Sequence, residues 1–392
     1  MARDPSFRWD DGLGRGDALM NLANLSDVKT ARRLVIKVGS SLLVARGVAR
    51  AGWLASLAGD IAALKAAGPQ VIVVSSGAIA LGAAKLGMAR GGRGSLADAQ
   101  AAASVGQVEL ARLWSQSLGA HGIVAAQMLV TIGDLEERRR YLNAPATLER
   151  LLEAGAVPVL NENDSVATEE IRFGDNDRLA ARVAQAAGAD AVLLLSDVDG
   201  LYDRDPRAEG AMLVPRVEGI TPAITAMANG KSSSGLGSGG MASKLQAAEI
   251  AERAGIALAI MNGTHEKPIT NAIASGTGTI FVPQRRDGAR KAWLGGRLAP
   301  AGVLTVDAGC AAALLNGASL LAAGLTEVDG TFRRGDLVTI HGPGGERLAQ
   351  GLVEYSADEC RAIRGLKGAA QGDRLGYAPR AAVIHRDHLV LL

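Results

Sequence analysis

Cysteine is nearly absent: Cys310 and Cys360 are the only two in 392 residues. With no Cys or His nearby at ligand spacing, they build neither a disulfide framework nor a four-ligand zinc site, and read as small interior residues. Aromatic residues make up 3% of the chain, and 42 Lys+Arg against 40 Asp+Glu leave a formal charge of +2. So small a charge does not point to a nucleic-acid or membrane-surface protein by net electrostatics. No apolar run reaches the roughly 18 residues of a membrane span. Asp4, Asp10, Asp11 and Asp17 stand where a secretion signal needs an apolar stretch. The expectation is a soluble, cytoplasmic protein, with residues 1–30 as a weakly ordered extension and Met20 as an alternative start. What the chain does have is 50 Gly and 48% hydrophobic residues against 12 Pro, enough for extensive burial. At about 150 residues per domain, the length suits two to three domains.

From Arg33 onward, short β-branched runs alternate with Ala/Leu-rich helical stretches. Residues 34–38, 71–74, 122–130, 157–160, 191–195 and 256–261 read as strands; 53–67, 147–154 and 178–187 read as helices. Near-continuous apolar strands separated by helices imply an α/β fold, a mainly parallel sheet sandwiched between helices. The pattern changes after Pro283. A basic stretch, 284–291, gives way to short segments at 303–306, 337–340 and 381–384 bounded by turn signals. The predicted domains are therefore 31–285, a linker at 286–300, and a small β-rich domain at 301–385.

In α/β sheets, ligands gather where strands end, so those residues carry the functional question. Lys37 lies inside an apolar strand, where an ammonium is costly unless an anion neutralises it or an edge position lets it reach water. Gly39-Ser40-Ser41 follows and favours a phosphate, since glycine allows close backbone approach and both hydroxyls donate. Ser75-Ser76-Gly77-Ala78 repeats the strand–turn–helix arrangement, either as an anion site or as a plain N-cap. Asn161-Glu162-Asn163-Asp164 and Gly174-Asp175-Asn176-Asp177 collect more acid and amide groups than capping needs, a set suited to an ammonium group or a hydrated magnesium ion. Gly235-Leu236-Gly237-Ser238-Gly239-Gly240-Met241-Ala242-Ser243-Lys244 opens a helix, and a cation in a first helical turn opposes the dipole unless a polyphosphate lies beside it. Neither a dinucleotide fingerprint nor a P-loop is supported: no strand precedes Gly235, and Thr225 stands where Gly230-Lys231-Ser232 would need its first glycine.

Two lysines, several Gly/Ser loops and an acid/amide cluster fit phosphoryl transfer, where catalysis is mostly positioning and charge neutralisation. All five histidines fall outside these loops. A carboxylate nucleophile, with a pKa near 4.3, needs no general base at neutral pH.

Taken in order, residues 34–41, 75–80, 158–164, 173–177 and 235–244 resemble the amino acid kinase family, and the terminal part resembles a PUA domain. The resemblance implies the amino acid kinase fold and ATP-dependent phosphorylation of the glutamate side-chain carboxylate, the first step of proline synthesis. By that resemblance Lys37 and Lys244 neutralise the transferring phosphoryl group and Asp177 orients them. Ser196 and Asp197, with the loop Ser238, Gly239, Gly240, Met241, Ala242, Ser243 and Lys244, hold the nucleotide. Ser76, Asp164 and Asn176 bind L-glutamate, Asp164 through its ammonium, and Mg2+ bridges the ATP phosphates rather than sitting in a protein site. Proline as a feedback inhibitor and a homo-oligomer are further implications.

The competing activities are acetylglutamate kinase, aspartate kinase and uridylate kinase, because fold does not fix substrate. An RNA-binding PUA module is a rival of another class. Residues 297–392 carry 10 Lys+Arg and 10 Asp+Glu, and Phe332, Tyr355 and Tyr377 are too widely spaced to form a stacking platform. Nucleic acid is therefore not the expected partner.

Overall fold

The computed structural model describes residues 22–136, 143–166, 175–228, 240–284 and 300–392. β1 (Arg33–Val38) is buried at all six positions. It leads through α1 (Ser40–Leu43) and a short ribbon, β2 (Val44–Ala45) with β3 (Val48–Ala49), into α2 (Ala51–Ala67). Gly68 ends that helix at φ 124°, a conformation that favours glycine, and Pro69 bars its continuation. β4 (Gln70–Ser75) and α3 (Ala78–Lys85) follow. The N-cap Ser95 then opens α4 (Leu96–Gly119), its side chain accepting from the Asp98 N–H at 3.1 Å. The alternation continues with β5 (Ala125–Val130), α5 (Ile132–Glu136), α6 (Asn143–Glu153), β6 (Val157–Glu162), α7 (Asp175–Ala187) and β7 (Ala191–Ser196). β8 (Arg216–Glu218), α8 (Pro222–Met227), α9 (Met241–Arg253), β9 (Ala257–Asn262), α10 (Pro268–Ser275) and β10 (Thr279–Val282) complete this part.

Its strands form one sheet in the order β5-β6-β4-β1-β7-β9-β10-β8. The run from β5 to β9 is parallel, and β10 reverses against β9. Side chains alternate faces along a strand. Leu34, Ile36 and Val38 enter the apolar cluster that includes Leu54 and Leu57 of α2 and Leu110 and Trp114 of α4. Val35 enters the opposite cluster, with Leu179 and Val183 of α7 and Leu245 and Ala248 of α9. Lys37 shares the parity of Val35, so its side chain is delivered to the α7/α9 side.

Two expectations about boundaries are corrected. The extension was expected to run to residue 30, but Leu22, Leu25 and Val28 are buried in the α2-side core, and Leu25–Thr30 forms a 3-10 helix. Apolar residues three apart make that segment a short amphipathic turn, whereas residues 1–21 lie outside the described residues. The small domain was expected to end at 385, but its sheet includes a strand beyond that point. It comprises β11 (Gly302–Val306), α11 (Ala308–Leu315), β12 (Leu325–Gly330), β13 (Leu337–His341), β14 (Arg347–Leu352), α12 (Ala357–Ile363), α13 (Ala369–Leu375) and β15 (Leu389–Leu391). The order is β12-β11-β13-β14-β15, antiparallel except between β11 and β13.

The segment 381–384, expected as a strand, makes only a bridge between Ile384 and Leu320. Its carbonyls are shared between two neighbours: Val383 O accepts from Glu354, and Ile384 O accepts from Leu320. No continuous ladder forms. The expected linker falls almost entirely at residues 285–299, outside the described residues. Cys360 is buried as expected, while Cys310 is only partly so. No helix among the described residues is long and apolar enough to cross a membrane.

The α3–α4 crossing is close because two glycines permit it. A Cβ on Gly106 would stand 1.8 Å from Ala78 O, and one on Gly82 the same distance from Ala102 O. Exchanging glycine for alanine within a helix ordinarily stabilises by about 1 kcal/mol. Here the backbone clash reverses the sign, and Gly106→Ala is expected to cost about 3 kcal/mol, measured by urea denaturation.

Candidate active site

Three charged side chains from different elements converge at the carboxyl end of the sheet. Lys37 Nζ lies 2.7 Å from Asp177 Oδ1, and Lys244 Nζ donates to Asp177 Oδ2 at 3.2 Å. Ser243 Oγ donates to the same Oδ2 at 3.4 Å. Asp177 is wholly buried, and the side chains of Lys37 and Lys244 are 10% and 8% exposed. Asp177 is the third residue of α7 and Lys244 the fourth of α9. Both therefore occupy first turns, and both helices flank the face to which β1 delivers Lys37.

Burial pushes the Lys37 ammonium below its ordinary value; Asp177 opposes that shift and Lys244 adds to it. Burial alone would raise the Asp177 carboxyl, but the two ammonium groups outweigh it and hold it below the ordinary carboxylate value. Asp177 thus bridges the two ammonium groups, one carboxylate oxygen to each, and so holds them side by side. Gly39 keeps the approach open: a Cβ there would stand 3.6 Å from Lys37 Nζ. The arrangement suits an anion that takes charge from both lysines.

Beside the lysines runs a row of neutral polar groups. Asn176 Nδ2 donates to Ser76 Oγ at 2.5 Å and to Asn161 Oδ1 at 3.2 Å. Asn161 Nδ2 donates to Gln107 Oε1 at 2.9 Å. Ser75, one residue earlier, accepts from Trp114 Nε1 at 2.9 Å, which fixes the end of β4 against α4. Asn176 Oδ1 is buried with no hydrogen-bond partner. Gly77, at φ 122°, turns the chain from β4 into α3 and so exposes Ser76 at this row.

A second loop leaves β7. Ser196 Oγ donates to Asp197 Oδ1 at 3.2 Å, and Asp197 acts electrostatically on Lys37. Asp199 is held by Asn262 Nδ2 at 2.9 Å and Tyr202 OH at 3.0 Å, and Thr264 donates to Asn262 Oδ1. The loop is thereby tied to the end of β9.

Of the residues expected at the site, Lys37, Asp177, Ser243 and Lys244 meet directly, as do Ser76 and Asn176. Ser196 and Asp197 stand at the end of β7, and Gly240, Met241 and Ala242 lead into Lys244. Ser238 and Gly239 lie outside the described residues. Asp164 sits in the turn after β6, where it pulls electrostatically on Arg93; partial burial lowers the Arg93 guanidinium against that pull. Sequence reasoning assigned nothing to Gln107, Arg93 or Trp114. Gln107 and Trp114 are internal to a helix with no local motif around them, and only the α3–α4 packing brings them here.

The amino acid kinase family matches residues 32–262, and the PUA domain family matches residues 302–371. Glutamate 5-kinase of Novosphingobium aromaticivorans is 64% identical over 95% of this chain and 100% of that protein. Glutamate 5-kinases of Sphingopyxis alaskensis and Zymomonas mobilis are 60% and 52% identical, each over 92% of this chain and over 97% and 91% of their own lengths.

Removing the shared carboxylate leaves two buried cations facing one another. Asp177→Asn is therefore expected to lose roughly 3–5 kcal/mol at neutral pH, measured by urea denaturation, with inorganic tripolyphosphate restoring part of the loss. In the parent chain the Asp177 carboxyl is depressed by folding, so its contribution is complete above the ordinary carboxylate value of 3.8 and disappears as pH falls through the lower folded value.

Proposed function

The chain belongs to the amino acid kinase family, and from that premise we propose that it transfers the γ-phosphoryl group of ATP to the γ-carboxylate of L-glutamate, the first step of proline biosynthesis. The observation that carries the reading is the pair of buried lysines held on Asp177 at the end of a parallel sheet, in a chain 64% identical to a glutamate 5-kinase over nearly its full length. A glutamate carboxylate oxygen attacks the γ-phosphorus, the β–γ bridging P–O bond breaks, and ADP leaves with the electron pair. No proton moves, because the nucleophile is already ionised. That economy agrees with a site built from lysines, amides and hydroxyls.

Lys37 and Lys244 neutralise the charge that spreads over the transferring group and the departing ADP, and Asp177 holds both ammonium groups in place beforehand. Ser196, Asp197 and the loop from Ser238 to Lys244 hold the nucleotide. Ser76, Asp164 and Asn176 hold glutamate. Asp164 supplies the anion that a free α-ammonium requires, which an acetylated substrate would not. Among the described residues no group of three or more His, Cys, Asp and Glu could cage a metal ion. On this reading Mg2+ would travel on the ATP phosphates, where it would screen their charge during transfer.

Proline shares the α-carboxylate and amine of glutamate, and on this reading it acts as a feedback inhibitor at the glutamate site. The enzyme works in the cytoplasm as a homo-oligomer. Assembly is supported by β5, an edge strand that carries no charged residue, with Val124 before it 69% exposed and Leu129 within it 37% exposed.

Trapping the acyl phosphate with hydroxylamine tests the reaction. Hydroxamate is expected with glutamate, and little with aspartate or N-acetylglutamate; preference for either of the latter would overturn the substrate assignment. Asp164→Ala is expected to raise KM for glutamate at least tenfold while leaving KM for ATP within about twofold. Equal increases in both would contradict the role given to Asp164.

A further inference from the structure

Gln107 follows Gly106, the glycine that lets α4 touch the first residue of α3. That contact carries its side chain to the polar row beside Ser76, although no sequence motif links the two. A primary amide has a donating end and an accepting end, so a row of amides has a direction. Gln107 Oε1 accepts from Asn161 Nδ2 at 2.9 Å. Asn161 therefore presents Oδ1 on its other side, and there it accepts from Asn176 Nδ2 at 3.2 Å. The second hydrogen of that Nδ2 goes to Ser76 Oγ. Asn176 is left with both hydrogens committed and its Oδ1 buried and unpartnered. A buried acceptor without a donor is costly, and a positively charged donor satisfies it best. Ser76 Oγ, which accepts from Asn176, keeps its own proton for a carboxylate.

We propose that Gln107 is a positioning residue for substrate recognition: its Oε1 sets the direction of the row Gln107–Asn161–Asn176, so that Asn176 turns an oxygen rather than an N–H towards the substrate ammonium. This rests on the glutamate-binding role given to Asn176 above. Reversal of the row would put amide hydrogens against the ammonium, repelling the group that separates an amino dicarboxylate from a plain one. Gln107 thus acts on specificity through two other side chains and touches no reacting atom.

The test compares glutamate with glutarate, which has both carboxylates and no amine, by hydroxamate formation in the full-length enzyme. Gln107→Leu removes the acceptor. It is expected to raise KM for glutamate about tenfold, to leave KM for ATP within about twofold, and to lower the preference for glutamate over glutarate by a similar factor. Gln107→Glu keeps an acceptor at the same reach, and is expected to restore both KM and preference to within about threefold of the parent. Thermal melting accompanies each variant; if the leucine variant is unstable, Gln107→Met, of similar length and nearly without acceptor strength, takes its place. Unchanged discrimination in the acceptor-deficient variants would overturn the proposal, as would equal losses for the leucine and glutamate variants. Failure of the underlying reading looks different: the parent enzyme itself would then show no preference for glutamate over glutarate.

Discussion

Asp177 is the constraint from which the rest of the site follows. A fully buried carboxylate is tolerable only with compensating charge, and here two ammonium groups from separate elements provide it at 2.7 and 3.2 Å. Desolvation pulls Lys37 towards neutrality, and Asp177 resists it. The trio keeps positive charge available in a dry place, where it acts far more strongly on a phosphoryl group than it could in water.

The fold supplies the trio by parity and packing. β1 lies between β4 and β7, and alternation along it turns Lys37 to the same face as Val35. That face is covered by α7 and α9, whose first turns carry Asp177 and Lys244. The opposite face is closed by α2 and α4, and the glycine crossing of α4 with α3 brings Gln107 and Trp114 to the loop after β4. On the reading proposed above, the first helix layer carries the charge for the nucleotide side and also Asn176, while the second anchors the row of hydrogen bonds on the amino acid side through Gln107.

Much of this was legible in the sequence, for reasons that differ by element. Doubly buried strands such as residues 71–74 and 191–195 announce themselves as unbroken apolar runs, so the parallel sheet was readable. Lys37 and Lys244 stood out because each is a charge in a costly place, inside a strand or in the first turn of a helix, whereas Asp177 was marked only by an acid and amide cluster larger than capping needs. Gln107 escaped notice because a glutamine within a helix is unremarkable until tertiary packing gives it a neighbour 54 residues away. The segment 381–384 has strand composition, but its hydrogen bonds go to Leu320 and Glu354 on separate segments, which composition does not encode. The amphipathic turn at Leu25–Thr30 was hidden by the Gly- and Asp-rich stretch that precedes it.

On the reading proposed above, the lysine pair binds charge that grows during transfer, beyond what the ground state presents. Affinities of Lys37→Met and Lys244→Met for ADP alone, and for ADP with aluminium fluoride and glutamate as a mimic of the transferring phosphoryl group, test it most directly by calorimetry. Each variant is expected to lose at least a hundredfold for the mimic and less than tenfold for ADP. Equal losses for the two ligands would contradict it.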